Sequence, residues 1–288
     1  MLPGLHATLV SMVKNLGRRE MVTVTVFFQG ISKGELELLQ ASVSGAGGVG
    51  ELKFREADVA NFQGLRALHG DWMTYLRLYL PRLIPEADLI LYLDSDLIVN
   101  TDVCVCFEEM LGNYPLGAVH GGNVTWDLDG DFFKTVGLTD DDLVFNAGVL
   151  LLNADLWRRT GIIEQTLEFG RAHSSFLRSA DQTILNALFS RNFYRLPKNF
   201  NVLLGPNDQP LAMAKEIYHF VGSPKPWDFF GRFIHRNWYL WRKVIGDTRF
   251  NWDEFLLSHS AAYYARAWTL RRSYLRTLRE RVKRYIGC

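Results

Sequence analysis

LILYLDSDLIVN, residues 89 to 100, decides how this chain is read. Residues 89 to 93 are apolar enough for a strand buried on both faces, yet Asp94 and Asp96 follow one residue apart. A carboxylate there is either paired or is the reason for the strand. Side chains at i and i+2 of an extended chain point the same way, so the two carboxylates project together where the strand runs into a loop. Side by side they repel unless a cation lies between them. A helix cap or an Asx-turn at a strand end is the other reading of a lone D-x-D, and the flanking sequence has to decide.

Upstream, LHATLVSMVKNL (5–16) places Leu5, Leu9, Met12, Val13 and Leu16 at helical steps, with Gly17 as a stop. MVTVTVFFQG (21–30) reads as a strand, Ser32 as the cap of a helix over GELELLQASV, and ELKFR (51–55) as a second strand. DWMTYLRLYLPRL (71–83) looks helical until Pro81. This alternation predicts a parallel sheet with helices on its faces. The chain opens with a helix, although such folds usually open with a strand.

Downstream, GAVHGG (117–122) begins as a short strand and residues 123 to 141 read as a loop. VFNAGVLLLN (144–153) is a buried strand interrupted by Asn146 and Gly148. DLWRRTGIIEQTLEFGRAH reads as a helix with Asp155 near its start, and a further helix begins near Asp181. Irregular chain from Pro197 to Pro210 precedes EIYHFVGSPKPWDF (216–229).

At 288 residues, with 48% hydrophobic and 22% charged residues, the chain fits one large globular α/β domain rather than a disordered protein. Three cysteines without zinc-type spacing point away from a thiolate metal site and fit a reducing compartment. No stretch of 18 apolar residues predicts a membrane span, and the first residues do not read as a signal peptide. Charge is unevenly placed: from Arg266 onward eight Lys/Arg face Glu280 alone, a net +7, leaving −6 for the rest of a chain that totals +1. Within that tail Leu270, Tyr274, Leu278 and Val282 form a helical stripe with arginines largely off it. Such a helix either lies on an anionic membrane or packs on the domain with solvated arginines. No fold motif supports a nucleic-acid role.

Polar residues cluster at the ends of the apolar strands, where open α/β sheets bind ligands. Asp94, Asp96 and His219 suit Mn²⁺ or Mg²⁺ with phosphate oxygens completing the shell, although a single histidine is as often structural. In HFVGSPKPW, Gly222 lets backbone approach a ligand, and Lys225, between two prolines, either meets a diphosphate or marks a rigid surface turn.

TYLRLYLPRLIPEADLILYLDSDLIV (74–99), FNAGVLLLN (145–153), ADQTILNALF (180–189) and HFVGSPKPW (219–227) together resemble the retaining glycosyltransferases of family 8, and the likeness extends over roughly residues 2 to 257. This is the group of lipopolysaccharide and lipooligosaccharide glucosyl- and galactosyltransferases and glycogenin. The resemblance implies the GT-A fold, a Rossmann-like α/β domain with a mixed central sheet over residues 1–257, followed by a basic aromatic helical tail over 258–288. It implies a metal site at Asp94, Asp96 and His219 for Mn²⁺ or Mg²⁺. A UDP-sugar would be bound by Arg77, Asp94, Ser95, Asp96, Gly222 and Lys225, with Asn146 and Asp181 on the sugar hydroxyls. Gln182 would stand on the reacting face of the anomeric carbon, with Asp181 as a reserve catalytic group. Two departures stand out. The likeness starts inside the helix near Leu2, so the family's first strand, which ends in an acidic stretch holding uracil and ribose, is absent from the expected elements. His120 and Gly121 also stand where relatives often carry an aspartate.

The expected reaction is metal-dependent transfer of glucose or galactose to a glycan or glycolipid hydroxyl, with lipopolysaccharide core among the acceptors. The enzyme would be cytoplasmic and peripheral on the inner face of the membrane, with the tail positioning it there and taking no part in the chemistry. The rival expectation is a non-catalytic nucleotide-sugar or carbohydrate-binding relative that lost turnover with its first strand.

Overall fold

The computed structural model describes residues 2–68, 70–109, 111–246 and 259–286. Its strands are β1 (Thr23–Phe28), β2 (Glu51–Glu56), β3 (Leu89–Leu93), β4 (Leu97–Val99), β5 (Leu116–Asn123), β6 (Leu143–Asn153), β7 (Tyr194–Arg195), β8 (Val202–Leu204) and β9 (Ile217–Phe220). The helices are α1 (Leu2–Asn15), α2 (Lys33–Gly45), α3 (Leu80–Leu83), α4 (Gly130–Thr135), α5 (Ala154–Thr160), α6 (Ile162–Ala172), α7 (Asp181–Phe189), α8 (Gly231–Ile234), α9 (Trp238–Gly246), α10 (Ser260–Thr269) and α11 (Arg271–Ile286).

Among the described residues three sheets form, ordered β1-β2, β3-β6-β5-β7 and β4-β9-β8. The expected parallel pairing holds for β1 with β2, β5 with β7 and β8 with β9. β3 and β4 depart from it: they run antiparallel to β6 and β9, with Leu93 opposite Val149 and Leu97 opposite His219. The D-S-D bend carries the chain from one sheet to the next, so β6 and β9 meet at that bend. β3 is expected to be buried on both faces, but only Ile90 is buried, because β3 is an edge with no strand beyond it among the described residues. β1 is an edge as well, and no ladder joins the two.

β6 carries the burial predicted for VFNAGVLLLN. It is one strand throughout, but its ladder with β5 is interrupted at Asn146 and Gly148 as expected. Ala118 pairs with Leu150 and His120 with Phe145, so residues 146–149 face Val119 alone, and a smaller irregularity falls in β5 between His120 and Gly122. Leu150 and Leu152 pack into a core with Phe62, Tyr75, Trp157 and Ile184. Val149 and Leu151 pack on the opposite side with Leu9, Val13, Leu97 and Ile217. Each such buried aliphatic side chain contributes about 2 kcal/mol, which fixes β6 as a platform for the bend beside it.

α1 is more than an amphipathic helix. Its Thr8, Ser11 and Asn15 are spent on the backbone of β4. Thr8 Oγ1 accepts from Leu97 N and donates to Leu97 O, both at 3.0 Å. Ser11 Oγ accepts from Val99 N at 2.9 Å, and Asn15 Nδ2 donates to Val99 O at 3.0 Å. Helix side chains thus do for this strand what a neighbouring strand would otherwise do. At α2 the expected cap is a full capping box, with Ser32 Oγ accepting from Glu35 N and Glu35 accepting from Ser32 N at 2.7 Å.

Four local expectations change. Residues 71–83 form a 3₁₀ turn (Met73–Leu78) and then α3, with Pro81 in the first turn, where its missing N–H costs nothing. The helix after β6 splits into α5 and α6 at Gly161, whose φ of +70° suits glycine. The loop over 123–141 contains α4, and the irregular chain after Pro197 contains β8.

The tail is helical as expected, while the boundary placed at 257/258 and Cys288 lie outside the described residues. Its expected stripe divides. Tyr274 is buried against Phe230, rings 5.5 Å apart, and Thr277 is buried with its carbonyl accepting from Asn207 Nδ2 at 2.9 Å. Arg281 and Arg284 donate to Asn207, and Arg281 also donates to the Ile234 carbonyl. Leu275, Leu278 and Val282 stay exposed among Arg272, Arg276, Arg279 and Lys283. The helix therefore both packs on the domain and keeps a basic, apolar outer face. Among the described residues no helix is long and apolar enough to cross a membrane.

Candidate metal centre

The bend between β3 and β4 holds Asp94 and Asp96, and β9 presents His219 from the antiparallel partner of β4. One ligand atom from each lies within 4.8 Å of the others, as the shared direction of the two carboxylates predicts. His219 Nε2 is 3.2 Å from Asp96 Oδ1 and 3.6 Å from Asp94 Oδ2, and its side chain is only 5% exposed. Its Nδ1 is 3.1 Å from Asn201 Oδ1, an acceptor, so Nδ1 carries a proton and Nε2 faces the carboxylates. No donor meets the buried Asp96 Oδ1 in hydrogen-bond geometry. A lone pair on Nε2 and two carboxylates cannot face one another with nothing between them. Either a proton on Nε2 or a divalent cation satisfies all three, and the donor set, two oxygens and one imidazole with a supported second nitrogen, suits Mn²⁺ or Mg²⁺.

The surroundings hold these groups in place. Arg77, buried beneath the bend, donates from Nη2 to Asp94 Oδ1 at 3.0 Å and from Nη1 to the Ala147 carbonyl. Its guanidinium lies 4.4 Å from the Tyr92 ring centre, and the Tyr92 hydroxyl donates to Asp94. Asp181, at the start of α7, accepts from Thr74 Oγ1, and its Oδ2 lies 2.8 Å from Arg77 Nε, whose hydrogen is directed at the Thr74 carbonyl. Burial pushes the Asp181 carboxyl up to about 6, against the opposing pull of Arg77. Burial would also raise Asp96, but His219 and the Lys225 ammonium outweigh it and hold that carboxyl well below its ordinary range.

Lys225 Nζ is 2.7 Å from Asp96 Oδ2 and also donates to the Phe220 carbonyl. Gly222 adopts φ +70° with open space where a Cβ would stand, so its glycine serves the left-handed turn that aims the loop. Asn146 Oδ1 accepts from Gly148 N and Asn201 Nδ2, and its Nδ2 donates to Gln182 Oε1 at 3.1 Å. Gln182 Oε1 also accepts from Ala147 N at 3.1 Å. Ser95 turns its carbonyl to α1, where a Cβ on Gly4 would come within 2.5 Å of it.

These contacts join Arg77, Asp94, Asp96, Asn146, Asp181, Gln182, His219 and Lys225 into one cluster around the bend. Asp94, Asp96, Asn146, Gln182 and Lys225 are half-buried, while His219, Arg77 and Asp181 are buried behind them. Several residues escaped the sequence reading. Gly148 is the sharpest: a Cβ there would lie 2.2 Å from His219 Cε1 and 2.9 Å from Asp94 Oδ2. Asn201, Tyr92 and Thr74 complete the support, and only the glycine inside an otherwise apolar strand left a trace, as the mark of a close approach.

Comparison with known proteins gives a family and a fold. The family model described as glycosyl transferase family 8 matches residues 2–231. The glycosyltransferase GlyF of Streptococcus pneumoniae is 27% identical over 205 residues, covering 68% of this chain and 46% of that protein. General stress protein A of Bacillus subtilis is 24% identical over 250 residues, 80% of this chain and 85% of that protein. The chain thus spans less than half the length of GlyF. Among solved structures, the galactosyltransferase LgtC in complex with donor and acceptor sugar analogs superposes with a TM-score of 0.68 at 26% identity, covering 85% of this chain and 93% of that one. GlyE of Streptococcus pneumoniae superposes at 0.64 and 23% identity, over 91% and 62%, a likeness of fold. The fold is GT-A, with mixed sheets.

Proposed function

Because the chain belongs to glycosyl transferase family 8, we propose that it transfers glucose or galactose from a UDP-sugar to a hydroxyl of a glycan or glycolipid, with retention at the anomeric carbon. The observation that carries this reading is the Asp94–Asp96–His219 trio, three ligand atoms within 4.8 Å, with the Lys225 ammonium 2.7 Å from Asp96.

In this reading Asp94, Asp96 and His219 would hold Mn²⁺ or Mg²⁺, which when bound would supply positive charge toward a leaving diphosphate. Lys225 exchanges its contact with Asp96 for one with the diphosphate, and the left-handed turn at Gly222 lets the loop approach it. Arg77 keeps Asp94 aimed, and Asp181 keeps Arg77 in place. Asn146 fixes the amide of Gln182 at the sugar's reacting face.

A double-displacement route needs a nucleophile beneath the sugar. Gln182 offers an amide whose oxygen already accepts from Asn146 Nδ2 and Ala147 N. Asp181 is 1% exposed and paired with Arg77. We therefore favour front-face attack: the acceptor hydroxyl bonds to the anomeric carbon as the carbon–oxygen bond to phosphate breaks, and the hydroxyl proton passes to the departing phosphate oxygen. Gln182 orients the acceptor and lies against the developing oxocarbenium carbon.

The outer face of the tail supports an acceptor in an anionic membrane. Leu275, Leu278 and Val282 are exposed beside Arg272, Arg276, Arg279 and Lys283 on α11, and Trp268, also exposed, has its ring centre 4.7 Å from the Arg271 guanidinium. This fits a peripheral enzyme on the cytoplasmic face, with lipopolysaccharide core as one acceptor class. The test is release of nucleoside diphosphate from a panel of sugar nucleotides, with and without Mn²⁺, using extracted membrane glycolipid as acceptor. Mn²⁺-dependent release with a hexose added to the acceptor supports the reading. Binding without any turnover across the panel refutes it in favour of a non-catalytic relative.

A further inference from the structure

We infer that Arg266, on α10, is a positioning residue for Lys225, acting through Asp228; the inference rests on the assignment of Lys225 to the donor diphosphate. The loop from Gly222 to Asp228 is anchored by the buried Trp227, but its two prolines donate no backbone hydrogen bonds, so few hydrogen bonds orient its backbone. One of those few is Lys225 N, which donates to Asp228 Oδ2 at 2.6 Å. Asp228 is 3% exposed, and a buried carboxylate needs a cation. Arg266 supplies it from 38 residues downstream, with Nε 2.6 Å from Oδ1 and Nη2 3.4 Å from Oδ2. One turn earlier on the same helix, Tyr263 donates its hydroxyl to the Trp227 carbonyl at 3.2 Å. α10 thus grips two consecutive residues of the loop that presents Lys225.

The guanidinium does two things here. It neutralises Asp228, whose bare charge would otherwise lie under the Lys225 backbone and oppose an incoming diphosphate. It also locks the carboxylate in the orientation that receives Lys225 N, and a bidentate pair fixes orientation better than a point charge does. Lys225 Nζ is then delivered beside Asp96 rather than to solvent. The tail, expected to act only as an attachment, is in this account joined to the chemistry by two hydrogen-bonded steps.

The experiment measures UDP binding in the presence of saturating Mn²⁺, and Mn²⁺ binding alone, by calorimetry on the full chain. The variants are Arg266→Ala, Arg266→Lys, Lys225→Ala and the Lys225→Ala/Arg266→Ala pair. Arg266→Ala is expected to weaken UDP about tenfold while Mn²⁺ affinity stays within twofold, a split that a general loss of structure does not produce. Arg266→Lys, which keeps the charge but not the fork, is expected to recover part of the loss. In the Lys225→Ala background the Arg266 change is expected to add nothing. Wild-type UDP affinity in Arg266→Ala overturns the inference, as does a full additional tenfold loss in the double variant. Should Arg266→Ala fail to fold, Arg266→Lys decides: a loss of about threefold supports positioning, and no loss overturns it. If the unaltered protein binds no UDP with Mn²⁺, the donor assignment itself falls, and this inference falls with it.

Discussion

Replacing Gly148 with alanine adds one methyl group where the structure has no room. The new Cβ would lie 2.2 Å from His219 Cε1, 2.6 Å from its Nδ1 and 2.9 Å from Asp94 Oδ2. Ordinary carbon contacts lie near 3.5–4.0 Å, so something must retreat by more than about 1 Å. β6 cannot easily do so. Gly148 O accepts from Asp94 N at 2.8 Å, Gly148 N donates to Asn146 Oδ1 at 2.9 Å, and Val149 is paired with Leu93. The imidazole must move instead, breaking its contact with Asn201. Overpacking of this kind costs about 1–3 kcal/mol of stability. The larger effect falls on the cation, because one of three protein ligands leaves its place, and disturbing even the support of a ligand costs roughly 10–100-fold in affinity. Thermal melting with and without Mn²⁺, together with a Mn²⁺ titration, reads both effects. A lower melting temperature and a loss of Mn²⁺-induced stabilisation are expected. A folded variant that binds Mn²⁺ within twofold of the unaltered protein would refute the reasoning.

Asn201→Ala removes the partner of His219 Nδ1 and is expected to weaken Mn²⁺ by about 10–100-fold with the fold retained; an unchanged titration contradicts it. His6, buried in α1 with Nε2 3.0 Å from Ser42 Oγ, is held down at about 4 by burial. Its folded pKa is depressed, so its contribution is present above about 6.5 and is lost as pH falls through 4, roughly 3 kcal/mol in all. His6→Gln should therefore flatten stability against pH between 6.5 and 4, and an unchanged slope in urea melts taken across that window contradicts the assignment. Charge reversal at Arg272, Arg276 and Arg279 should abolish salt-sensitive sedimentation with anionic vesicles, at about 1 kcal/mol per residue near the surface. Turnover on a small soluble acceptor should hardly change, and undiminished sedimentation contradicts the membrane role.

How much of this was legible in the sequence depended on how local the cause was. The strand before Asp94, the direction shared by Asp94 and Asp96, the Ser32 cap and the start of α7 at Asp181 all follow from spacing within a few residues. α1 was only half legible. Its apolar steps were visible, but Thr8, Ser11 and Asn15 read as an ordinary polar face, because nothing nearby announces that β4, some 90 residues on, needs their hydrogen bonds. Antiparallel pairing of β3 and β4 was hidden for the same reason, since it is set by where β6 and β9 return. Gly148 showed as an interruption without a cause, its cause being a histidine 71 residues away. The tail stripe misled in part, because Tyr274 packs while Leu278 and Val282 do not, a choice made by Phe230 and Asn207 on the domain.

The central claim is that Asp94, Asp96 and His219 hold the cation that receives the donor diphosphate. Anomalous diffraction at the manganese edge, from crystals soaked in Mn²⁺ and UDP, tests it most directly. The account predicts one ion about 2 Å from His219 Nε2 and from an oxygen of each aspartate, with diphosphate oxygens completing its shell and Lys225 Nζ turned from Asp96 onto the phosphate. Diphosphate bound with no ion among these three side chains, or with the ion held elsewhere, would contradict it.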